Sequence, residues 1–398
     1  TLDALRFRAN RLLSRIAAPV SADLSGRLDA HGSLADLSGE IAVGAGRVRL
    51  PGLAAPVALR SLGAAVTLGP RGNLVRLTDL ALDTDRVRLA GAVTLRADPG
   101  GAVGPIAAQA VLRDVQLDLP GVHAAPVTFD GLWAEARYGR DGAGVSVPAF
   151  TVTRGETRVT GSASVRRGAD GAEPRVALDV ATDEIAPATL VALWPEGRIE
   201  GTRDWLRDHV NEGRFTDVTA ALRLGDGRPP EVGLSFAFAG AVVRPVPGLP
   251  PITGGRGVGG IDGHVLTVAV TDGQMNAAQG EALRLARGVV RLPDIRERNG
   301  TLELAFAAGT DTTGALSLLS EPAFRKGDAA EVLVTPGEAD GDVSVSAEMA
   351  IPLYRRTRMA DVAFAIEGAV SKFATDALLP GRTLRADRLT IRADPETV

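Results

Sequence analysis

Residue types that commonly carry out catalysis are few in this chain, and they are dispersed. Four histidines stand apart from one another and from any carboxylate pair at metal-ligand spacing, namely His31, His123, His209 and His264. The chain has no cysteine, which excludes thiolate metal ligands and disulfides. HExxH and GxSxG motifs are also lacking. We therefore predict that the protein is not an enzyme and that it holds no metal and no cofactor.

A glycine-rich segment at residues 254–260 superficially resembles a phosphate-binding loop. Its sequence, Gly-Gly-Arg-Gly-Val-Gly-Gly, lacks the Lys-Ser/Thr pair of a P-loop. The segment also leads into a strand pattern, whereas a phosphate loop opens a helix whose N-terminus helps to bind the anion. We interpret these residues as a flexible turn.

The composition limits the class of function further. The chain contains 10 Phe, 3 Trp and 2 Tyr, so aliphatic residues must form most of any buried surface. A polysaccharide-processing enzyme on a repetitive β scaffold would need aromatic platforms and a carboxylate pair, and both are missing. The formal net charge is −4 and the arginines are spread along the chain, so we expect no nucleic-acid partner.

Alternation of apolar with small or polar residues is the strongest structural signal in the sequence. Such alternation places one face of a strand on an apolar layer and the other face in water, which is typical of antiparallel sheets. The 47 Gly and 24 Pro are scattered and suit short strands joined by turns. We predict a mostly β fold, an elongated, curled antiparallel β-sheet trough built of repeats, with a few short helices. The clearest runs are 87–95, 159–165, 176–180, 302–306, 343–349 and 362–366.

A short phrase recurs along the chain and indicates repeated units. Leu50–Leu53 returns as Leu119–Val122 and again as Val246–Leu249, each time followed by proline and several short strands. We predict a repetitive sheet segment at 1–183, a helical insertion with its following strand at 184–230, and a second repetitive segment at 231–398. We expect these segments to form one continuous sheet.

Helical patterns interrupt the strands at a few places. We predict helices near 186–194, 203–212 and 313–324, and another over 2–16. Thr202 is the expected N-cap of the second helix, and Gly213 is its expected C-terminal glycine. Trp194 and Trp205 are interpreted as packing these helices onto the sheet, with contact to a lipid headgroup or a partner as the alternative.

Membrane attachment is not encoded in the residues given. No run approaches the roughly 20 apolar residues that a membrane span needs, and there is no signal peptide. The chain begins at Thr1 and stops in a strand-like segment. We expect it to be an excerpt of a longer protein, with any anchor or export signal outside it.

The middle of the chain resembles YhdP-type members of the AsmA-like family. The resemblance rests on Trp194–Pro195 followed by Thr202–Arg214, which contains an Arg-x-Trp-Leu helix before a glycine and a strand. Val246–Pro251 and Asp340–Leu353 are similar to the sheet repeats of that family. The match covers residues 180–375 most closely. It implies a periplasmic β-sheet that is anchored in the inner membrane by a segment not present here and that conducts phospholipid toward the outer membrane. It implies no cofactor and no catalytic residue.

Alternation and resemblance together give a residue-level hypothesis for function. We expect a conduit for phospholipid or another acyl lipid, with the membrane contacted through segments outside the chain. The alternative is a structural or assembly scaffold of the cell envelope that binds partners through its sheet edges. Glu303, Ser344, Ser346 and Glu367 should face water. The residues expected to line the lipid groove are Leu234, Phe236, Phe238, Leu302, Leu304, Phe306, Val343, Val345, Val362, Phe364 and Ile366.

Overall fold

The structure is a computed structural model, and we describe the part of the chain whose placement is defined. That part comprises residues 16–28, 34–48, 56–69, 73–97, 106–118, 120, 123, 125–139, 144–168, 173–194, 200–225, 227–244, 248–297, 299–321, 334–353, 361–379 and 381–394. His31 lies outside these ranges. So does the helix predicted over 2–16, except for Ile16, which belongs to a strand.

Antiparallel strands dominate the fold. Strands account for 73% of the structure and form a long antiparallel sheet that is not closed, with three short helices. The predicted fold class is confirmed. The described residues divide into two compact units, which we call unit 1 (1–182, 195–197 and 221–230) and unit 2 (183–194, 198–220 and 231–398). The division into three sequence segments stays a prediction.

The strands that precede the first helix are long and follow one another closely. Each alternates side chains between its two faces, as the period of two in the sequence requires. Their bounds are β1 Ile16–Ala17, β2 Val20–Leu28, β3 Leu34–Val43, β4 Gly46–Val48, β5 Val57–Leu68, β6 Leu74–Thr84, β7 Val87–Ala97, β8 Ile106–Leu117, β9 Val127–Tyr138, β10 Gly144–Arg154, β11 Thr157–Arg166 and β12 Arg175–Ile185.

Within unit 1 the strands pair in chain order from β5 to β12, each antiparallel to the next. β5 also pairs with both β3 and β4, β2 pairs with β3, and β1 pairs with β4. Among the described residues β2 pairs with β3 alone.

Helices and strands of the second half of the chain follow in the order helix, helix, strands, helix, strands. The helices are α1 Pro187–Leu193, α2 Glu200–His209 and α3 Thr312–Leu319. The strands are β13 Val210–Gly225, β14 Arg228–Val243, β15 Ile252–Gly263, β16 Val265–Met275, β17 Leu283–Leu292, β18 Thr301–Asp311, β19 Ala339–Pro352, β20 Ala363–Thr375 and β21 Leu384–Ala393. Within unit 2 each strand from β14 to β21 is antiparallel to the next.

All three helices expected within the described residues exist, but the ends predicted for α2 are wrong. The helix begins at Glu200, so Thr202 lies inside it. It ends at His209 and passes directly into β13, so Gly213 is a strand residue. The carbonyl oxygen of His209 accepts a hydrogen bond from the backbone N–H of Arg244, at 2.9 Å. This contact with the end of β14 stops the helix before the glycine.

The segment at 254–260 is not a flexible turn, and that interpretation is wrong. It lies inside β15, which pairs with β14 on one side and β16 on the other. Glycine weakens a strand unless something else fills the space above it. The aromatic rings that do so here are described with the site below.

An aspartate fixes the start of α3. One carboxylate oxygen of Asp311 (Oδ1) accepts hydrogen bonds from the backbone N–H groups of Gly314, at 2.7 Å, and of Glu281, at 2.9 Å. The first bond caps the helix, and the second joins it to the segment that leads into β17. Thr310 Oγ1 donates to the carbonyl oxygen of Glu281 at 2.7 Å and strengthens the same junction. Leu318 on this helix is buried.

Asp311→Ala should therefore lower the free energy of unfolding by about 1–2 kcal/mol, the usual cost of losing an N-cap side chain. Asp311→Asn is the matched control, because it keeps an acceptor oxygen and should lose less. Urea denaturation followed by circular dichroism measures both. An Asp311→Ala protein as stable as wild type would show that the junction does not depend on this carboxylate.

Candidate functional site

The pairing of unit 2 builds continuous rows of side chains across its sheet. Residues directly opposite each other on antiparallel strands point to the same face, so a chain of paired residues forms a row. One row crosses seven strands in order through Phe236, Gly259, Val268, Val290, Leu304, Met349 and Phe364. The neighbouring row runs through Phe238, Gly257, Val270, Gly288, Phe306, Ala347 and Ile366. No member of either row is charged.

A third row lies on the other side of the first and is also apolar. It passes through Leu234, Ile261, Leu266 and Leu292. Leu302 pairs with Ile351 in the same alternation as Leu304 and Phe306. We call the surface formed by these three rows the apolar face.

The structure places ten of the eleven predicted lining residues on this one face. Leu234, Phe236, Phe238, Leu302, Leu304, Phe306, Phe364 and Ile366 belong to the rows or share their alternation. Val343 and Val345 share the alternation of Ala347 and Met349 on β19 and are half-buried. Val362 directly precedes β20 and is 8% exposed. Whether lipid contacts these residues stays a prediction.

The opposite surface of the same strands, which we call the polar face, carries the predicted water-facing residues. Ser346 pairs with Glu367, and Ser344 pairs with Ala369, in the alternation opposite to the rows. Glu303 forms an ion pair with Arg291 at 2.9 Å, with each side chain about half exposed. Glu303, Ser344, Ser346 and Glu367 are all exposed. The alternation thus separates an apolar face from one of polar, charged and small residues, although Val258 and Val289 also lie exposed on the second face.

Phenyl rings cover two of the glycines on the apolar face. Phe236 pairs with Gly259, and Phe238 pairs with Gly257. A Cβ atom added to Gly259 would overlap the ring of Phe236, with ring carbon Cε2 at 2.9 Å. One added to Gly257 would overlap the backbone oxygen of Ala269 and would also lie 2.7 Å from Cζ of Phe238. Each ring therefore lies over the backbone of β15 and fills the space that a side chain there would take. These glycines are packing positions of the sheet.

A third aromatic residue joins this cluster and was missed by sequence reasoning. The ring of Phe215, on β13, meets the ring of Phe236 edge to face, with centroids 5.3 Å apart and an angle of 90°. Phe236 and Phe238 are 6.4 Å apart between centroids. We call Phe215, Phe236 and Phe238 the aromatic cluster. Edge-to-face geometry is favourable because the positive ring edge meets the negative ring face.

Trp205 contacts a residue of its own helix, and whether it also packs onto the sheet stays a prediction. It is 46% exposed, and its ring stacks on the ring of His209, with centroids 5.2 Å apart and an interplanar angle of 7°. His209 Nδ1 lies 3.0 Å from the carbonyl oxygen of Trp205. Both contacts lie within α2, so the stack is a local feature of an exposed helix surface.

Titratable groups in the described residues form surface ion pairs. The guanidinium of Arg296 donates to both carboxylate oxygens of Asp294, at 2.8 and 2.5 Å, and holds the pKa of that carboxyl well below its usual range. Hydrogen bonding from Arg60, with Arg88 close by, lowers the pKa of Asp83 in the same way. No group of three or more His, Asp or Glu residues in the described ranges could hold a metal ion.

A shallow depression of about 550 Å³ lies on β17–β20, largely on the polar face. It is lined by the Arg291–Glu303 ion pair, by Glu348, by Val289 and four alanines, and by Leu304, Met349 and Phe364 of the first row. Because Arg291, Glu303 and Glu348 place charges in this lining, the depression suits an acyl chain less well than the uncharged rows. The candidate lipid surface is therefore the apolar face, which is an extended surface.

The fold is that of a β-sheet protein, and in unit 2 its sheet has one apolar face and one more polar face. No family model, curated protein or solved structure matches this chain. The resemblance to the AsmA-like family accordingly rests on the sequence motifs alone. In the described ranges, each helix is too short or too polar to pass through a bilayer.

Proposed function

We propose that the apolar face of unit 2 binds the acyl chains of lipids and that the protein serves as a lipid-transfer conduit. The observation that carries this proposal is the unbroken register of apolar residues across seven strands. Such a surface is unfavourable in water unless something apolar covers it. In the described part of the chain, helix α3 contacts β18 and β19, whereas the rows extend from β14 to β20.

The dimensions of the apolar face suit an acyl chain. Seven strands at about 4.8 Å spacing make each row about 29 Å long, which exceeds the ~15 Å hydrocarbon depth of one bilayer leaflet. Rows two residues apart along a strand are separated by about 7 Å, so three rows are wide enough to shelter extended chains. An acyl chain lying along a row would exchange contact with water for contact with Val, Leu and Phe side chains. The free energy gained is roughly 25 cal/mol per Å² of apolar surface removed from water.

The cellular setting of this function is proposed from the sequence resemblance. The resemblance supports a periplasmic protein, attached to the inner membrane through other segments, that carries phospholipid between the inner and outer membranes. A conduit of this kind binds lipid and lets it move along the apolar face without changing it chemically. The proposal therefore assigns no catalytic residue, cofactor or metal.

Photo-crosslinking from defined positions tests the proposal directly. p-Benzoylphenylalanine is introduced at Phe236, at Phe364 or at Ser346, and cells are irradiated before purification. Mass spectrometry should find lipid adducts at Phe236 and Phe364, because both lie in one row of the apolar face. Ser346 is the matched control, because it lies on the polar face of the neighbouring strand β19. Equal labelling at all three positions, or none at Phe236 and Phe364, would overturn the proposal.

A further inference from the structure

Unit 1 also carries uncharged rows of paired residues across its strands. One of them crosses eight strands, from β5 to β12, through Val66, Leu77, Val93, Ala110, Ala134, Phe150, Gly161 and Val180. The argument that an extended apolar surface in water needs an apolar cover therefore applies to unit 1 as well.

A parallel row near the ends of these strands is open to water. We call it the strand-end row, and it runs through Ala97, Ile106, Tyr138, Val145, Val165 and Val176. Ile106, Tyr138, Val145 and Val165 are between 37% and 45% exposed. In unit 2, by contrast, Ile261 lies two residues before the end of β15 and is 6% exposed. The strand-end row is therefore an uncovered apolar strip.

Arginines occupy alternate positions on the other face of the same strand ends. Arg96 and Arg137 both pair with Ala107, which places them on one face and two strands apart. Arg166, the last residue of β11, shares this alternation. The three side chains are exposed, and none of them makes an ion pair in the described part of the chain.

Positive charge is in excess at these strand ends. Within four residues of them, strands β7–β12 carry four arginines, namely Arg96, Arg137, Arg166 and Arg175. The same strand positions hold one carboxylate, Glu135. At the opposite strand ends an arginine does have a carboxylate partner, since Arg88 pairs with Asp83 at 3.2 Å.

We infer that these strand ends of unit 1 bind an anionic phospholipid. Its acyl chains would lie on the strand-end row and the rows beside it, and its phosphate would be held by Arg96, Arg137 and Arg166. The apolar strip alone suits any apolar ligand, whereas the arginines select one that also carries negative charge. This inference rests on the proposed function, because it takes a lipid as the occupant, and it adds the headgroup that unit 1 prefers.

The chemistry of the strand ends fits the two parts of such a lipid. Arginine extends its guanidinium on a long aliphatic stem, so the charge can reach the rim of an apolar surface. The guanidinium binds phosphate oxygens through paired, charge-assisted hydrogen bonds. Tyr138 lies at the last residue of β9, and its apolar ring with a polar hydroxyl suits the boundary between acyl chain and headgroup.

Crosslinking with vesicles of defined composition tests the headgroup preference. Protein with p-benzoylphenylalanine at Val145 is irradiated with vesicles of phosphatidylglycerol or of phosphatidylcholine, and lipid adducts are measured by mass spectrometry. We expect roughly tenfold more adduct from phosphatidylglycerol, because arginines near a phosphate favour an anionic headgroup. Arg137→Gln/Arg166→Gln should lower this ratio to about threefold or less without reducing the adducts from phosphatidylcholine. The unfolding midpoint should stay unchanged, because neither arginine loses an ion pair.

A matched variant and a competitor separate this site from general charge attraction and from a site for free phosphate. Arg154→Gln/Arg158→Gln removes the same charge at the opposite ends of β10 and β11 and should leave the ratio unchanged. Inorganic phosphate at constant ionic strength should not reduce the phosphatidylglycerol adducts. Equal adducts from both lipids, the same loss of preference in the matched variant, or competition by inorganic phosphate would overturn the inference. Lipid adducts at Phe236 but none at Val145 would overturn it and leave the proposed function standing, whereas adducts at neither position would overturn both.

Discussion

Phe364→Asp and Phe236→Asp should each abolish lipid crosslinking and lipid transfer, whereas Ser344→Asp should leave both near wild type. An ionised carboxylate placed among acyl chains costs several kcal/mol or must lose its charge. Phe236 and Phe364 are the two ends of the row that crosses β14 to β20, so a substitution at either places a charge where an acyl chain would enter or leave the row. Ser344 lies on the polar face and already contacts water. Transfer of labelled phospholipid between donor and acceptor vesicles gives the measurement.

A variant could lose lipid transfer because it unfolds or because the apolar row no longer carries lipid, and these two causes must be distinguished. Each variant is compared with wild type by circular dichroism and by its unfolding midpoint. Phe364→Leu is the matched control for Phe364→Asp, because it removes the ring and keeps the surface apolar. It should retain most transfer. A folded Phe364→Asp protein that still transfers lipid would show that the path does not run along this row.

The alternation of the sequence predicts the two faces well because the signal is local. In a strand each residue flips to the other face, so Leu302, Leu304 and Phe306 must share a face once the segment is a strand. The same logic places Glu303 opposite them. Which strand lies beside which is a long-range property. Along unit 2 of this protein, each strand from β14 to β21 pairs with the strand that follows it in the sequence. Because of this simple order, the alternation within single strands continues from strand to strand across the sheet.

Predictions from neighbouring residues were wrong where a contact with a distant part of the chain determines the local structure. Thr202 and Gly213 are good helix-end residues by type, but α2 ends at His209 because the N–H of Arg244 takes its carbonyl oxygen. Glycines at 254–260 indicate a turn by type, but β14 supplies phenyl rings that cover Gly257 and Gly259. No short-range pattern contains that information.

Phe215 shows the same limit for the candidate site. It stands alone among polar residues in the sequence, between Arg214 and Thr216, and no alternating apolar run marks it. It reaches the aromatic cluster because β13 carries it to Phe236. The scarcity of aromatic residues is the signal that could have drawn attention to it, since each of the 10 Phe can contribute a large share of the buried apolar area.

Gly259→Ala should lower the free energy of unfolding by about 1–3 kcal/mol, the usual cost of overpacking a well-filled site. The new Cβ would take the place of the Phe236 ring, whose Cε1 and Cε2 carbons would lie 3.0 and 2.9 Å away. That ring is held in turn by its edge-to-face contact with Phe215. Gly63→Ala on β5 is the control, because a Cβ there meets nothing within 4 Å. It should be neutral or stabilising by up to about 1 kcal/mol.

A double-mutant cycle shows whether the ring of Phe236 causes the loss of stability in Gly259→Ala. In a Phe236→Ala background the space above Gly259 is empty, so Gly259→Ala should no longer destabilise and should gain the usual benefit of replacing a strand glycine, about 0.5–1 kcal/mol. Gly259→Ala thus destabilises the wild-type protein and stabilises the Phe236→Ala variant. Such a change of sign is expected when two residues are in direct contact. Chemical denaturation of the four proteins measures the coupling. If Gly259→Ala costs the same with and without the ring, the backbone of β15 rather than Phe236 requires glycine at this position.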